Sequence, residues 1–211
     1  MEYNYLVIEG NIGAGKTSLA RKIADDTNSK LILEQFAENP FLPKFYKDPD
    51  RYSFPVELAF LADRYQQLHK EIAPRDLFQT KTVSDYYFIK SLIFSKNTLK
   101  EDEYKLYKQL FDIIQQQLPL PDLYVYLHVN TDNLLRNIQK RGRDYETDIK
   151  KEYLSQIQDG YFEFIKSRTD LTFIVLDINN IDFVSKQEDY DKVKKTIFDT
   201  KYEPGMNMII L

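Results

Sequence analysis

The sequence predicts an α/β fold: a doubly wound parallel sheet flanked by helices. Three observations predict it. Short apolar segments alternate with amphipathic ones along the chain. A glycine-rich loop, Gly10-Asn11-Ile12-Gly13-Ala14-Gly15-Lys16-Thr17, joins the first apolar segment to the first amphipathic one. Acidic residues follow two further strand candidates, Glu34 after Leu31-Ile32-Leu33 and Asp85 after the weaker Lys81-Thr82-Val83-Ser84. In open parallel sheets, ligands bind beyond the carboxyl ends of the strands.

Tyr3 to Ile8 is short, apolar and aromatic, which suits a buried strand. Thr17 to Ala24 repeats Leu19, Ala20, Ile23 and Ala24 at helical spacing. Residues 52–72 do the same with Leu58, Leu61, Tyr65 and Leu68, and Pro55 stands near the expected helix start, where proline is tolerated. Residues 101–117 form a polar amphipathic helix. Leu123 to Val129 is the clearest strand, and Thr131-Asp132-Asn133 brings helix-capping chemistry before a helix that runs to about Arg141. A helix from Glu152 to Arg168, a strand from Leu171 to Leu176 and a helix over 185–199 complete the alternation. The apolar end, Gly205 to Leu211, is expected to be a packed tail, with self-association as the other reading.

With 211 residues, one domain over 1–211 is the default. The share of hydrophobic residues, 43%, is that of a globular chain. The net charge of −4 argues against nucleic acid or an anionic membrane surface as the main partner. No segment reaches the roughly 18 apolar residues of a membrane span. The absence of cysteine removes disulfides, thiolate metal sites and a cysteine nucleophile. No secretory leader is visible, and a cytoplasmic protein is expected.

The loop matches G-x-x-x-x-G-K-[ST] in full and sits in the strand–loop–helix context that the chemistry requires. Glycines let successive backbone N–H groups turn inward as an anion nest, and the following helix presents its positive end. Lys16 brings a mobile charge to the β- and γ-phosphates, and Thr17 offers a hydroxyl to Mg²⁺. The fold expectation becomes P-loop NTPase-like. The expected cofactors are ATP and Mg²⁺, with Gly10, Asn11, Ile12, Gly13, Ala14, Gly15, Lys16, Thr17 and Ser18 as candidate donor-binding residues. No Asn-Lys pair is present for guanine readout of the switch-protein type. A small-molecule kinase is favoured.

A kinase needs one carboxylate to hold and deprotonate the acceptor hydroxyl and another to help position the metal. Glu34 and Asp85 are the candidates. Arg136, Lys140, Arg141 and Arg143 cluster in an otherwise acidic chain, beside Gly142, where the chain can leave a helix. Such a basic segment, about 140–150, suits a lid that places positive charge on a transferring phosphoryl group.

Taken together, these residues resemble the deoxynucleoside kinase family, and in particular its bacterial purine-nucleoside members, over nearly the whole chain. The resemblance implies that Glu34 is the base for the 5′-hydroxyl, that Tyr46 and Glu146 contact the sugar 3′-hydroxyl, and that Arg64 is a substrate-site arginine. It implies that Lys140-Arg141-Gly142-Arg143 forms the lid. The segment Leu176 to Phe183, with Asp182 and Phe183, is implied to hold the adenine of ATP. It further implies a 2′-deoxy sugar, homodimers that pair through helices, and inhibition by an end-product triphosphate.

Two positions depart from the family pattern. The family carries an arginine after its acidic residue, whereas this chain reads Asp85-Tyr86-Tyr87; Lys90, about one helical turn beyond Tyr86, is a candidate for the missing charge. The family places a glutamine where this chain has Glu57. A carboxylate accepts hydrogen bonds only. It suits the amino group of adenine, or N1–H and the amino group of guanine, better than thymine or uracil. A purine is expected, with the choice between adenine and guanine open; a salt bridge from Glu57 to Arg64 is the other reading. Phe36, Phe41, Tyr87 and Phe88 are aromatics able to stack on a base or fill the core. The competing functions are a nucleoside monophosphate kinase, which would need extra cations such as Arg51, Arg64 and Arg75 near its acceptor, and a non-catalytic nucleotide-binding regulator.

Overall fold

The computed structural model describes residues 3–35, 39–72, 81–143, 146 and 149–211. Phe36 and Arg75 lie outside the described residues, as do 144, 145, 147 and 148 of the expected lid. In chain order the elements are β1 (Tyr5–Gly10), α1 (Lys16–Thr27), β2 (Lys30–Ile32), α2 (Leu42–Lys47), α3 (Pro49–Ile72), β3 (Thr82–Ser84), α4 (Ile89–Thr98), α5 (Glu101–Gln115), β4 (Leu123–His128), α6 (Thr131–Arg141), α7 (Lys151–Ser167), β5 (Thr172–Asp177), α8 (Gln187–Asp199) and β6 (Gly205–Ile210).

The six strands form one sheet in the order β2-β3-β1-β4-β5-β6. Each neighbouring pair is parallel. β1 thus lies inside the sheet, with later strands added on both sides, which is the doubly wound pattern. β1 is buried along its whole length. A strand covered on both faces reads as a continuous apolar run without alternation. One face of the sheet carries Leu6, Ile8, Val125, Leu127, Ile174 and Leu176, and these pack with Leu19 and Ile23 of α1, Leu134 and Ile138 of α6, and Val193 and Ile197 of α8. Tyr126 and Phe173 meet α7 instead, through Tyr161 and Phe164.

The described residues group into two compact units. One comprises the described parts of 1–33, 76–86 and 120–211, and holds the sheet with α1, α6, α7 and α8. The other comprises those of 34–75 and 87–119, and holds α2 to α5. The core of the second includes Val56, Leu61 and Leu68 of α3, Ile93 of α4, and Phe111 of α5 stacked on Phe88 with ring centroids 4.8 Å apart.

One local expectation is sharpened and two need correction. The apolar end packs as expected but does so as a strand: β6 pairs with β5 along all of its length, from Thr172–Gly205 to Asp177–Ile210. Helix α6 is capped by Asn130, whose side chain accepts from the Asn133 N–H, and not by the residues after it. Helix α3 starts at Pro49, so Pro55 stands inside it. The missing N–H of Pro55 leaves the carbonyl of Arg51 without its helix bond, on an exposed turn where water can take it. Two helices, α2 and α4, are absent from the sequence pattern. The buried face of α4 includes Lys90, Ser91 and Ser95, so it lacks the apolar stripe by which a helix is recognised.

Candidate active site

The sheet-bearing unit carries the glycine-rich loop. The loop after β1 holds Gly13 at φ 83° and Gly15 at φ 89°. Both are left-handed conformations that favour glycine. A Cβ at Gly13 would lie 2.9 Å from the Leu134 carbonyl oxygen, and one at Gly15 would lie 2.9 Å from the Phe183 ring. Two side chains fasten the loop. Asn11, 1% exposed, donates to the Leu154 carbonyl at 2.7 Å and accepts from the Ile12 N–H at 2.8 Å. Asn137 of α6 donates to the Gly13 carbonyl at 2.9 Å. The Asn11 side chain is therefore committed to the loop's own architecture. Lys16 donates to the Asn11 carbonyl at 2.8 Å, folded back over the loop it belongs to.

A cavity of about 820 Å³ opens at this loop, a volume in the range of small-molecule sites. Its walls include Gly13, Ala14, Gly15, Lys16, Thr17 and Ser18, and also Arg141, Arg143, Asp182 and Phe183. Gly10, Asn11 and Ile12 are not on these walls. Asn179, in the segment expected to hold adenine, is also on them, and residues that the sequence did not single out for the donor complete them: Asn133, Asn137, Val184 and Ser185 among others. The segment 182–185 is held in shape by hydrogen bonds that no motif announces. Lys22 of α1 donates to the carbonyls of Phe183 and Val184, at 2.8 and 3.1 Å. The Asp182 N–H donates to Asp189 at 2.9 Å, and the Asp182 carboxylate accepts from the Ser185 N–H at 3.1 Å, a bond that lowers its pKa.

The Thr17 hydroxyl donates to the Asp85 carboxylate at 2.5 Å. Thr17 is the second residue of α1 and Asp85 directly follows β3, and the Asp85 N–H is held by the Ile32 carbonyl at 3.1 Å. Two hard oxygen donors are thus joined beside the phosphate loop, a donor set that suits Mg²⁺ completed by phosphate oxygens and water. Past Gly142, which caps α6 at φ 68°, the basic segment is paired within itself. Arg141 and Arg143 both form ion pairs with Glu146, the latter at 3.2 Å, and the Glu146 side chain is 7% exposed.

The helical unit carries a buried charged cluster. Glu34, whose side chain is 10% exposed, meets two cations. Arg64 of α3 donates from Nε and Nη2 to Oε1, at 2.9 and 2.7 Å. Lys90 of α4 contacts Oε2. Burial alone would raise the Glu34 pKa, but the charges and hydrogen bonds of Lys90 and Arg64 overcome it and bring it down to about 2. Burial would lower the Arg64 pKa, but Glu34, Tyr107 and Glu57 together overcome that effect and raise it. Glu57 of α3 is the opposite case. It is 5% exposed, and its Oε2 has no hydrogen-bond partner among the described residues. Burial pushes its pKa up to about 7, against the pull of Arg64, Thr98 and Lys90. Tyr107 of α5, wholly buried, lies in the same cluster; burial and the nearby Glu57 raise its pKa. Tyr46 stands on α2, its ring edge-on to Phe45. Tyr86 is wholly buried and brings no cation to the position after Asp85.

A parallel sheet, a phosphate loop at the end of its first strand, and a buried carboxylate held ionised define a P-loop phosphotransferase of small molecules. Residues 6–201 match the deoxynucleoside kinase family model, and the chain belongs to that family, whose members transfer a phosphoryl group to deoxynucleosides. It is 34% identical over 196 residues to a deoxyguanosine kinase of Bacillus subtilis, covering 90% of this chain and 93% of that one. It is 28% identical over 209 residues to a deoxyadenosine kinase of Lactobacillus acidophilus, covering 95% and 97%. Among solved structures it is similar to deoxyadenosine kinase from M. mycoides with dCMP and dCDP bound, at a TM-score of 0.79 and 25% identity, covering 93% of this chain and all of that one.

Proposed function

We propose that this protein transfers the γ-phosphoryl group of ATP, with Mg²⁺, to the 5′-hydroxyl of a purine deoxynucleoside in nucleotide salvage. The observation that carries this reading is Glu34: a buried carboxylate held ionised by two cations, in a chain whose phosphate loop is intact. Glu34 accepts the hydroxyl proton. The loop residues Gly10 to Ser18 hold the donor phosphates, chiefly through backbone N–H groups, and Asp182 and Phe183 line the adenine end. Thr17 and Asp85 hold Mg²⁺, which would neutralise charge on the donor phosphates. Lys16, Arg141 and Arg143 neutralise the charge that develops on the phosphoryl group; the two arginines leave Glu146 for it. Tyr46 and Glu146 take the sugar 3′-hydroxyl. Residues 1–211 work as one catalytic domain with 140–150 as its lid, in a cytoplasmic homodimer. No helix of the described residues is long and apolar enough to cross a membrane.

Glu57 reads the base, with Arg64 beside it. Ionised, its two oxygens accept from N1–H and the amino group of guanine. Protonated, it presents one donor and one acceptor, the pattern that fits adenine. The names of the relatives, deoxyguanosine kinase and deoxyadenosine kinase, support a purine. Incubation with ATP and each of the four deoxynucleosides, followed by chromatography of the products, tests the reading. A purine deoxynucleoside should yield its monophosphate and ADP in equal amounts. ATP consumption without an acceptor, or a preference for monophosphates as acceptors, would overturn it.

A further inference from the structure

Among the described residues two cations, Arg64 and Lys90, meet the carboxylate of Glu34, and they are fastened differently. Arg64 is anchored at all three guanidinium nitrogens: Nε and Nη2 on Glu34 Oε1, and Nη1 on the Ser91 hydroxyl at 2.8 Å. Its guanidinium also lies 4.8 Å from the centre of the Phe60 ring. Lys90 reaches the other oxygen, Oε2, with a compact ammonium on a flexible stem. That ammonium lies 5.4 Å from the centre of the Phe94 ring, and the side chain is 9% exposed. Placing a lysine in so dry a setting is costly unless an anion meets it. With Tyr86 and Tyr87 after Asp85, the start of α4 has no other cation before Lys90.

We propose that Lys90 is a positioning residue for the phosphoryl transfer: it holds Oε2 of Glu34 oriented and ionised, and yields that oxygen to the acceptor hydroxyl. This rests on Glu34 being the base, as proposed above. In the step itself the hydroxyl proton passes to Oε2. The hydroxyl oxygen bonds to the γ-phosphorus as the bond from that phosphorus to the β-phosphate oxygen breaks, and the electron pair leaves with ADP. Lys90 takes no part in the proton transfer, and its ammonium group remains beside Glu34. Arg64 cannot take the mobile part, because releasing Glu34 would also break its fork and strain its bond to Ser91. Among the described residues, the charged and titratable groups facing this cluster are Arg64 and Glu57 from α3, Lys90 from α4 and Tyr107 from α5.

Lys90→Met, Lys90→Gln and Lys90→Arg test this by the pH profile of kcat, with KM for ATP measured alongside. The wild type is assayed first; if it phosphorylates no deoxynucleoside, the proposed function fails and not this inference alone. Given an active wild type, Lys90→Met should lose about tenfold to a hundredfold in kcat. It should also gain an acid limb in the ordinary carboxylate range or above, from about pH 4.3 upward. Lys90→Arg should keep the wild-type limb, and KM for ATP should be unchanged in both. Should Lys90→Met fail to fold, Lys90→Gln, which removes the charge and keeps a polar tip, carries the same comparison with Lys90→Arg. A neutral variant with the wild-type acid limb, or Lys90→Arg displaced as far as the neutral variants, would overturn the proposal.

Discussion

Arg64 sets both Nε and Nη2 on the same oxygen of Glu34, Oε1, at 2.9 and 2.7 Å, while Lys90 meets the other oxygen, so that the two cations together hold the carboxylate in place. The base proposed for the phosphoryl transfer must be ionised and aimed, and this arrangement suits both needs. Replacing Glu34 by Ala should therefore cut turnover by about 10²–10⁴-fold. Donor binding, read by titration with an ATP analogue, should survive, since no loop residue is touched. Unchanged turnover would remove Glu34 from its role.

The same pair sets a pH dependence of stability. The Glu34 pKa is lowered from 4.5 to about 2 by Lys90 and Arg64 against burial. The folded state therefore binds this proton less readily than the unfolded chain. Its contribution is complete above the unfolded value of 4.5 and is lost as pH falls toward about 2. Arg64→Met should leave Glu34 with one cation, cost about 3–5 kcal/mol as a broken buried pair, and flatten the acid side of the stability curve. Urea melts between about pH 5 and about pH 3 would read the slope. An equal slope in both proteins would contradict the assignment.

Glu57 predicts the opposite sign. Its pKa is raised from 4.5 to about 7 by burial, so stability falls as pH rises through that window. Glu57→Gln should stabilise the ligand-free protein at about pH 8 and have little effect at about pH 4. It should also remove the two-oxygen acceptor that favours guanine, shifting kcat/KM toward deoxyadenosine. A gain in stability that is the same at both pH values would rule out the buried carboxylate as its source.

The loop glycines predict a graded loss. At Gly13 an added Cβ meets backbone, the Leu134 oxygen, and at Gly15 it meets the Phe183 ring, each at 2.9 Å. Alanine in a left-handed conformation costs about 1–2 kcal/mol before any clash. Gly13→Ala should therefore be the more damaging in thermal melts, because a carbonyl fixed in α6 cannot turn aside as a ring can. Equal melting temperatures for the two variants would show that strain alone matters.

The Thr17–Asp85 pair predicts a metal effect. Asp85→Asn should raise the Mg²⁺ concentration needed for half-maximal turnover and lower the maximum, and chelation of Mg²⁺ should abolish turnover of the wild type. A half-saturation unchanged from wild type would leave Asp85 a structural partner of Thr17.

Much of the frame was legible because it is local. The phosphate loop, the strands that continue as β1 and β4, and the exit of α6 at Gly142 are all written in contiguous residues. Glu34 and Asp85 were legible from their places after strands. What was not legible depends on distant partners. β6 has few β-branched residues and becomes a strand because β5 offers it a parallel edge. α4 hides a polar face that only Glu34, 56 residues from Lys90, makes sense of. Asn11 matched the loop motif but spends its side chain on Leu154, 143 residues away, and Lys22 was invisible as a support of the 183–184 carbonyls. The pairing of Arg141 and Arg143 with Glu146 also could not be read, because spacing does not say which anion a cation meets.

The most direct test of the central claim is the stoichiometry of ATP use with purine deoxynucleosides, measured for the wild type and Glu34→Ala in parallel. The account predicts one ADP for each deoxynucleoside 5′-monophosphate formed, dependence on added deoxyguanosine or deoxyadenosine, and loss of both products in the variant. Equal ADP formation with and without a nucleoside, or full activity in Glu34→Ala, would contradict it.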